Sequence, residues 1–349
     1  MSDTTPLRLG TRGSALATTQ SGLVARRLEE LTGRPVELVH VRTEGDVLTG
    51  SLASLGGTGV FVAALREALL DGRCDVAVHS LKDLPTTPVE GLTIVTPERE
   101  DPRDALCAKD GLTLESLPRG ARVGTGSPRR AAQLRAARAD LDVVDIRGNV
   151  DTRLKRALGP DADLDAVVLA CSGLVRLGRT DAITEALEPS VVAPAPGQGA
   201  LAVEARTADV AEGGPLAEAF AALDHRATRL AVIAERAVLA RLEAGCAAPV
   251  GALARVEEGH LVLGAVVART DGTEMLRHRA TVALERTAAD DDDDARELGV
   301  RVAEALLADG ADQLAPLAST QARPASATAD PALADPTEAG APGQDHGRS

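Results

Sequence analysis

The sequence predicts an α/β protein with two similar domains of mostly parallel sheet, followed by a smaller third unit built on an antiparallel sheet. Three observations carry that prediction. LRLGTRGS (residues 7–14) and ARVGTGSPRR (121–130) echo each other, each giving a short strand, a Gly-Thr turn with a serine, and then a helix. In both halves apolar strands alternate with helical stretches, which implies parallel pairing through crossovers. After Leu223 the pattern changes to one long helix and a run of strands punctuated by turns.

After the first strand, LATTQSGLVARRLEEL places Leu16, Leu23, Leu28 and Leu31 near one helical face before Gly33 stops the helix. VELVHVRT reads as the next strand, and DVAVHS (75–80) as an apolar strand ending in small polar residues. In the second half RAAQLRAARADL is the helix, VVDIRGN the following strand, and DAVVLACSG (165–173) the counterpart of DVAVHS. ATRLAVIAERAVLARLEAG predicts a helix with Leu230, Ile233, Ala237 and Ala240 on one side and Gly245 as its stop. GALARVEEGHLVLGAVVARTDGTEMLRHRATVAL reads as strands joined at Glu258-Gly259 and Asp271-Gly272. The five aspartates from Asp290 to Asp294 read as a solvated loop, with cation binding as the alternative. From about Ala315 the chain is rich in Ala, Pro, Asp, Ser and Thr, and a disordered tail is expected.

At 349 residues, 44% of them hydrophobic, the chain can bury two or three cores. It has no apolar run of membrane-spanning length, and MSDTTPLRLG lacks the basic head and apolar core of an export signal, so a soluble cytoplasmic protein is expected. Cys74, Cys107, Cys171 and Cys246 lie far apart with no C-x-x-C pair, which points away from a disulfide framework and from a zinc site. A net charge of −14, no Trp, no Tyr and only Phe61 and Phe220 argue against a nucleic-acid or membrane-surface binder. One local exception stands out: residues 119–156 hold ten Lys or Arg against four Asp. This is either an anion site or a solvated helix face.

Ligands of parallel sheets lie beyond the carboxyl ends of the strands, near helix N-termini. Asp83, Arg12, Arg129, Arg147 and Ser172 all fall at or just past predicted strand ends. In AVHSLKDLP (77–85), Asp83 follows Lys82 where the strand runs out and Pro85 fixes the exit. A carboxylate among arginines stays ionised and suits stabilising a cation or shuttling a proton; a cap on the next helix is the local alternative. Arg12, Arg129, Arg130, Arg147, Arg153 and Arg176 offer guanidinium forks for carboxylates or phosphates, or else form surface ion pairs. The two Gly-Thr turns match neither a Walker sequence nor a dinucleotide fingerprint. Cys246, in EAGCAAPVG after the helix, is open to two readings: a nucleophile or covalent anchor, or a small buried cysteine.

Together these stretches resemble the porphobilinogen deaminase (hydroxymethylbilane synthase) family. The matching pieces are LGTRGSALATTQ, DVAVHSLKDLP, REDPRDAL, VGTGSPRRAAQL, IRGNVDTRL, LACSGLVRLG, PAPGQGALAVEAR and AERAVLARLEAGCAAPVG, in family order from about Leu7 to Leu314. The resemblance implies two lobes like those of periplasmic binding proteins, with mixed, mostly parallel sheets, plus a small α/β domain with an antiparallel sheet. Their bounds would be 6–98 with 198–216, 103–193 and 222–314, and a disordered tail would span 315–349.

The implied activity is that of a transferase of haem biosynthesis. It joins four porphobilinogen units head to tail, with loss of ammonia, into the linear tetrapyrrole hydroxymethylbilane. Asp83 would be the catalytic carboxylate beside an electron-poor azafulvene cation. Cys246 would carry a dipyrromethane cofactor through a thioether, which sets aside the local reading of a buried cysteine. Lys82, Ser80, Thr125, Ser127, Arg129, Arg130 and Arg147 would hold that cofactor, and Arg12, Ser14, Arg153 and Arg176 the substrate. The implied partners are porphobilinogen, the growing polypyrrole chain and, as a candidate, uroporphyrinogen-III synthase; the implied state is a monomer without metal, nucleic acid or membrane. In LASLGGTGVF (52–61), Ser54 and Thr58 stand where many relatives have lysines, so the glycine-rich stretch resembles a lid without its usual charges. Two other classes stay open on the residues alone: a noncatalytic two-lobed solute-binding protein and a nucleic-acid reader using the basic segment.

Overall fold

A computed structural model of the chain describes residues 5–41, 59–211, 213–244, 248–284, 288–315 and 317. Cys246, Ser54 and Thr58 lie outside the described residues, as does most of the expected tail.

The chain opens with β1 (Leu7–Thr11), α1 (Ala15–Thr32), β2 (Val36–His40), α2 (Gly59–Leu70), β3 (Val76–Ser80) and β4 (Leu92–Val95). Then follow β5 (Asp104–Ala108), β6 (Arg122–Gly124), α3 (Pro128–Ala137), β7 (Asp142–Val144), α4 (Val150–Leu158), β8 (Ala166–Ala170), α5 (Cys171–Arg176) and β9 (Glu185–Leu187). The last part holds β10 (Leu201–Arg206), α6 (Thr207–Ala211), α7 (Pro215–Leu223), α8 (Arg226–Arg241), β11 (Val250–Glu257), β12 (His260–Ala268), β13 (Met275–Ala283), α9 (Ala288–Ala308) and α10 (Ala311–Leu314).

Two five-stranded sheets share one plan, in the orders β2-β1-β3-β10-β4 and β7-β6-β8-β5-β9. The echo seen in the sequence is therefore a repeat of sheet position, β1 matching β6 and β3 matching β8. In each sheet four strands run one way and one, β10 or β5, runs against them. Both reversed strands follow a crossing of the chain between the two sheets, so the expected mixed and mostly parallel sheets are present. Because it runs backwards, a reversed strand starts where its parallel neighbours end: Leu201 pairs with Ser80, and Asp104 with Ala170.

The third sheet, β11-β12-β13, is antiparallel throughout. Its first hairpin turns through Glu258 (φ 49°) and Gly259 (φ 77°), the two-residue turn whose twist matches paired strands. Leu230, Ala234 and Val238 of α8 and Leu298, Val302 and Leu306 of α9 pack on Leu261, Leu263 and Val267. The two helices touch at Gly299, where a Cβ would lie 2.3 Å from the Ala234 carbonyl oxygen, so a side chain there would force them apart. Ala315 and Leu317, at the start of the segment expected to be a tail, are buried in this core.

Two local expectations change. The buried face of α1 is Gln20, Ser21, Val24, Ala25 and Leu28, while Leu23 is 41% exposed. Polar Gln20 and Ser21 displace the leucine stripe because they bond inward, Gln20 to Ser80 and Ser21 to Thr11 at the ends of β3 and β1. The five aspartates are not a loop but the opening turns of α9, where negative charge complements the helix dipole. Asp291 is fully buried against Arg226, and Asp292 meets Arg229 at 3.0 Å. Among the described residues no helix is long and apolar enough to cross a membrane.

Candidate active site

A single 3-10 turn, Leu81–Asp83, follows β3 and builds the centre of the site. Leu81 and Leu84 are buried at either end, the Leu81 N–H donates to the Ala200 carbonyl, and the Leu84 N–H closes on the Leu81 carbonyl. Lys82 and Asp83, between the two buried leucines, are left half-buried. No helix follows Asp83: the chain runs irregularly to β4, so a capping role is not available to it. Among the described residues its carboxylate has no hydrogen-bond or ion-pair partner, and its negative charge is felt by the neighbouring Lys82.

Across from this turn lies a buried cluster that sequence reasoning missed. Asp104, the first residue of β5, is fully buried. It accepts from Arg129 Nη1 at 2.7 Å, from Arg130 Nε and Nη2 at 2.9 and 2.7 Å, and from Gln198 Nε2 at 2.7 Å. Burial alone would raise its pKa, but the two guanidinium groups overrule that and hold it far below the usual carboxylate range. Gln198, also fully buried, accepts from Lys82 Nζ at 3.3 Å and from Arg130 Nη2 at 3.4 Å. One carboxamide thus joins the turn on the first sheet to the arginines of the second.

The crossings of the chain pass through the same place. Arg99 Nε donates to the Gln198 carbonyl at 2.7 Å, and Arg176 Nη2 to the Gly199 carbonyl at 2.6 Å. Gly199 sits at φ 90°, and a Cβ on it would come within 2.4 Å of the Glu100 carbonyl oxygen. The signals were in the sequence: an aspartate opening an otherwise apolar strand requires a buried cation, and a glutamine between two glycines marks a tight backbone crossing.

The remaining candidates divide by what they already hold. Ser14 and Ser127 cap α1 and α3, accepting from the Ala17 and Arg130 N–H groups, so each marks a helix N-terminus suited to an anion. Thr125 is buried and accepts from the Ser127 N–H, and Ser80 exchanges hydrogen bonds with Gln20 at 3.1 and 3.2 Å. Ser172 is buried at the start of α5. Arg12 is half-buried just beyond β1. Arg147 is exposed and pairs with Asp145 at 3.1 Å. Arg153 donates Nε to the Gly148 carbonyl at 2.8 Å, and its pKa is lowered first by burial and then by Arg130 and Arg147 nearby. Arg129 and Arg130, read from sequence as ligand contacts, are 4% and 6% exposed; Arg130 turns two nitrogens on Asp104 and Arg129 gives it Nη1. Two guanidinium nitrogens, Arg129 Nε and Arg176 Nε, are buried with no partner among the described residues. Lys82 thus lies between Asp83, whose carboxylate has no partner among the described residues, and the Arg129, Arg130 and Asp104 cluster.

Family models and curated relatives match most of the chain. A family model described as "Porphobilinogen deaminase, dipyromethane cofactor binding domain" matches residues 7–212, and one described as "Porphobilinogen deaminase, C-terminal domain" matches 229–308. Porphobilinogen deaminase of Leifsonia xyli subsp. xyli is 57% identical, over 89% of this chain and 94% of that protein. Those of Cutibacterium acnes and Micrococcus luteus are 56% and 54% identical, over 89% and 88% of this chain and 97% and 94% of theirs. Among solved structures, a YaeC-family lipoprotein from Enterococcus faecalis shares 15% identity over 64% of this chain and 92% of its own, with a TM-score of 0.36, too low to bear on the lobes or their ligand.

Proposed function

The chain belongs to the porphobilinogen deaminase family, and from that premise we propose that Asp83 is its catalytic carboxylate, that Cys246 anchors the cofactor, and that the candidate lysine and arginines grip pyrrole carboxylates. The function is the stepwise condensation of four porphobilinogen units, with release of ammonia, to hydroxymethylbilane. The family match extends over the third unit, which leaves a noncatalytic solute-binding protein without support.

The observation that carries the assignment of Asp83 is its position: a half-buried carboxylate with no partner among the described residues, on a turn pinned by two buried leucines. As ammonia leaves porphobilinogen, positive charge spreads over the pyrrole ring. A fixed anion at ~4 Å, with an effective dielectric near 20, stabilises that charge by about 4 kcal/mol. The same carboxylate can hold the pyrrole N–H proton and return it.

The donor set fits dipyrromethane. Each of its rings carries two carboxylates, and the unpartnered Arg129 and Arg176 nitrogens, Arg153, Lys82 and the helix N-termini behind Ser14 and Ser127 offer cationic or N–H donors to match. When bound, the cofactor supplies the pyrrole carbon to which the first substrate is joined. Cofactor contacts are assigned to Lys82, Ser80, Thr125, Ser127, Arg129, Arg130 and Arg147, and substrate contacts to Arg12, Ser14, Arg153 and Arg176. The domain division is assigned as 6–98 with 198–216, 103–193 and 222–314; clusters around Leu9, Leu106 and Leu263 support three units, with Phe220 and Leu223 of α7 packing into the first. A cytoplasmic monomer that hands its product to uroporphyrinogen-III synthase completes the proposal.

Intact-mass spectrometry tests the cofactor assignment. The purified enzyme is expected to exceed its sequence mass by one dipyrromethane, Cys246→Ser to lose that excess, and porphobilinogen to add further discrete increments. An active enzyme at bare sequence mass would sink the attachment.

Lys82 supplies a pH test. Burial, then Arg130 and Arg129, lower its pKa to about 8 against the opposing pull of Asp83 and Asp104. Between about pH 8 and the unfolded value near 10.4, the unfolded chain keeps a proton that the folded chain has released. Lys82 therefore contributes a gain in stability as pH rises through that window. Cofactor binding moves the other way: loading of the apoenzyme with dipyrromethane, read by intact mass, is expected to fall above about pH 8 as the ammonium is lost, and Lys82→Met to flatten that fall. The same fall in the variant would remove Lys82 from the cofactor contacts.

A further inference from the structure

We propose that Arg236 is a positioning residue for this reaction: from α8 in the third unit, its guanidinium grips the turn that carries Asp83 and ties that carboxylate to the helix leading to Cys246. This rests on the role of Asp83 proposed above. Arg236 Nη1 donates to the Leu84 and Leu81 carbonyls at 3.0 and 3.3 Å, and Nη2 to the Pro85 carbonyl at 2.6 Å. Those three carbonyls bracket Lys82 and Asp83. Among the described residues Arg236 forms no ion pair within 4 Å, and its pKa is lowered, first by burial and then by Arg66. A half-buried cation thus directs both of its Nη nitrogens at backbone oxygens of one turn.

The contact is built from two sides. Val232, one helical turn before Arg236 and so on the same face of α8, packs with Leu81, Leu84 and Ala200. Glu235, beside Arg236, is fully buried and takes both Arg99 nitrogens at 2.6 and 3.0 Å, the Gly197 N–H at 2.6 Å and the Ala254 N–H at 2.8 Å. Consecutive residues of one helix therefore hold the crossing segments, β11 and the Asp83 turn. Cys246 stands five residues beyond the last residue of that helix. Loosening the Arg236 grip removes three of the hydrogen bonds that anchor the turn, leaving it the Leu81 and Leu84 side chains, the Leu81 and Leu84 N–H bonds and the Lys82 contact to Gln198.

The test compares kcat and KM for porphobilinogen in holoenzymes of Arg236→Met, Arg236→Lys and Arg236→Ala, each with its cofactor load confirmed by mass. Arg236→Met is expected to lower kcat by about 10- to 100-fold, the scale of a misplacement near 1 Å, with KM within about threefold of the parent. Arg236→Lys is expected to keep more of the rate, and methylguanidine to restore part of it to Arg236→Ala with saturation. In an Asp83→Asn background the Arg236→Met change is expected to cost almost nothing further, because it acts through that carboxylate. An equal cost in both backgrounds, an unchanged kcat, or a loss explained by missing cofactor would overturn the proposal. Failure of the Asp83 reading itself shows separately, as turnover retained by Asp83→Asn alone. Should Arg236→Met fold poorly, Arg236→Lys in the two backgrounds reads the same coupling.

Discussion

Asp83→Asn is expected to lower kcat by roughly 10²–10³-fold, the cost of removing one preorganised electrostatic contact to the transition state, while cofactor load, KM and unfolding temperature stay near those of the parent. The side chain keeps its size, and no described residue relies on its charge for a hydrogen bond, so little in the fold has reason to change. What disappears is the anion that faces the pyrrole nitrogens as ammonia departs. Single-turnover measurements on cofactor-loaded protein separate this from binding. A variant that binds porphobilinogen and turns it over at the parent rate would remove Asp83 from the chemistry.

The second large effect is structural. Asp104→Asn is expected to destabilise the protein by about 3–5 kcal/mol, since it leaves two buried guanidinium groups side by side without their counter-charge. Asp104 is fully buried and accepts from Arg129, Arg130 and Gln198 together, so no solvent reaches in to compensate. The pH dependence carries the signature. The carboxyl pKa is depressed in the fold, so its contribution is present above the unfolded value near 3.9 and is lost as pH falls toward the folded one. Urea unfolding between pH 3 and 6 should therefore show a loss of stability toward acid in the parent that is smaller in Asp104→Asn. Equal midpoints for the two proteins at pH 6 would show that the cluster contributes nothing net.

Much of the fold was legible because its signals are local. The Glu258-Gly259 turn fixed the first hairpin of the third sheet, since two residues with positive φ need only their own chemistry to bend the chain. The Gly-Thr-Ser turns announced two helix starts, and the structure places serine caps at both. The apolar run before Ser80 foretold a buried strand with polar residues at its end. The leucine stripe of α1 misled, because the burial of a helix face depends on the partner it meets. Gln20 and Ser21 turned inward to meet Ser80 and Thr11.

By itself the sequence determined most strands and helices of the two like halves, their pairing, and the placing of Asp83, Arg12, Arg129 and Arg147 at strand ends, because side-chain period and turn chemistry act over a few residues. Only the tertiary structure decided which charges remain for a ligand. Asp104 opens one reversed strand and Gln198 precedes the other, and they meet beside Lys82 because the chain crosses between sheets and enters each reversed strand backwards. The Gln198–Asp104 contact joins residues nearly a hundred positions apart, so no local pattern could show that Asp104 would take two Arg130 nitrogens and Arg129 Nη1, while Asp83 has no partner among the described residues.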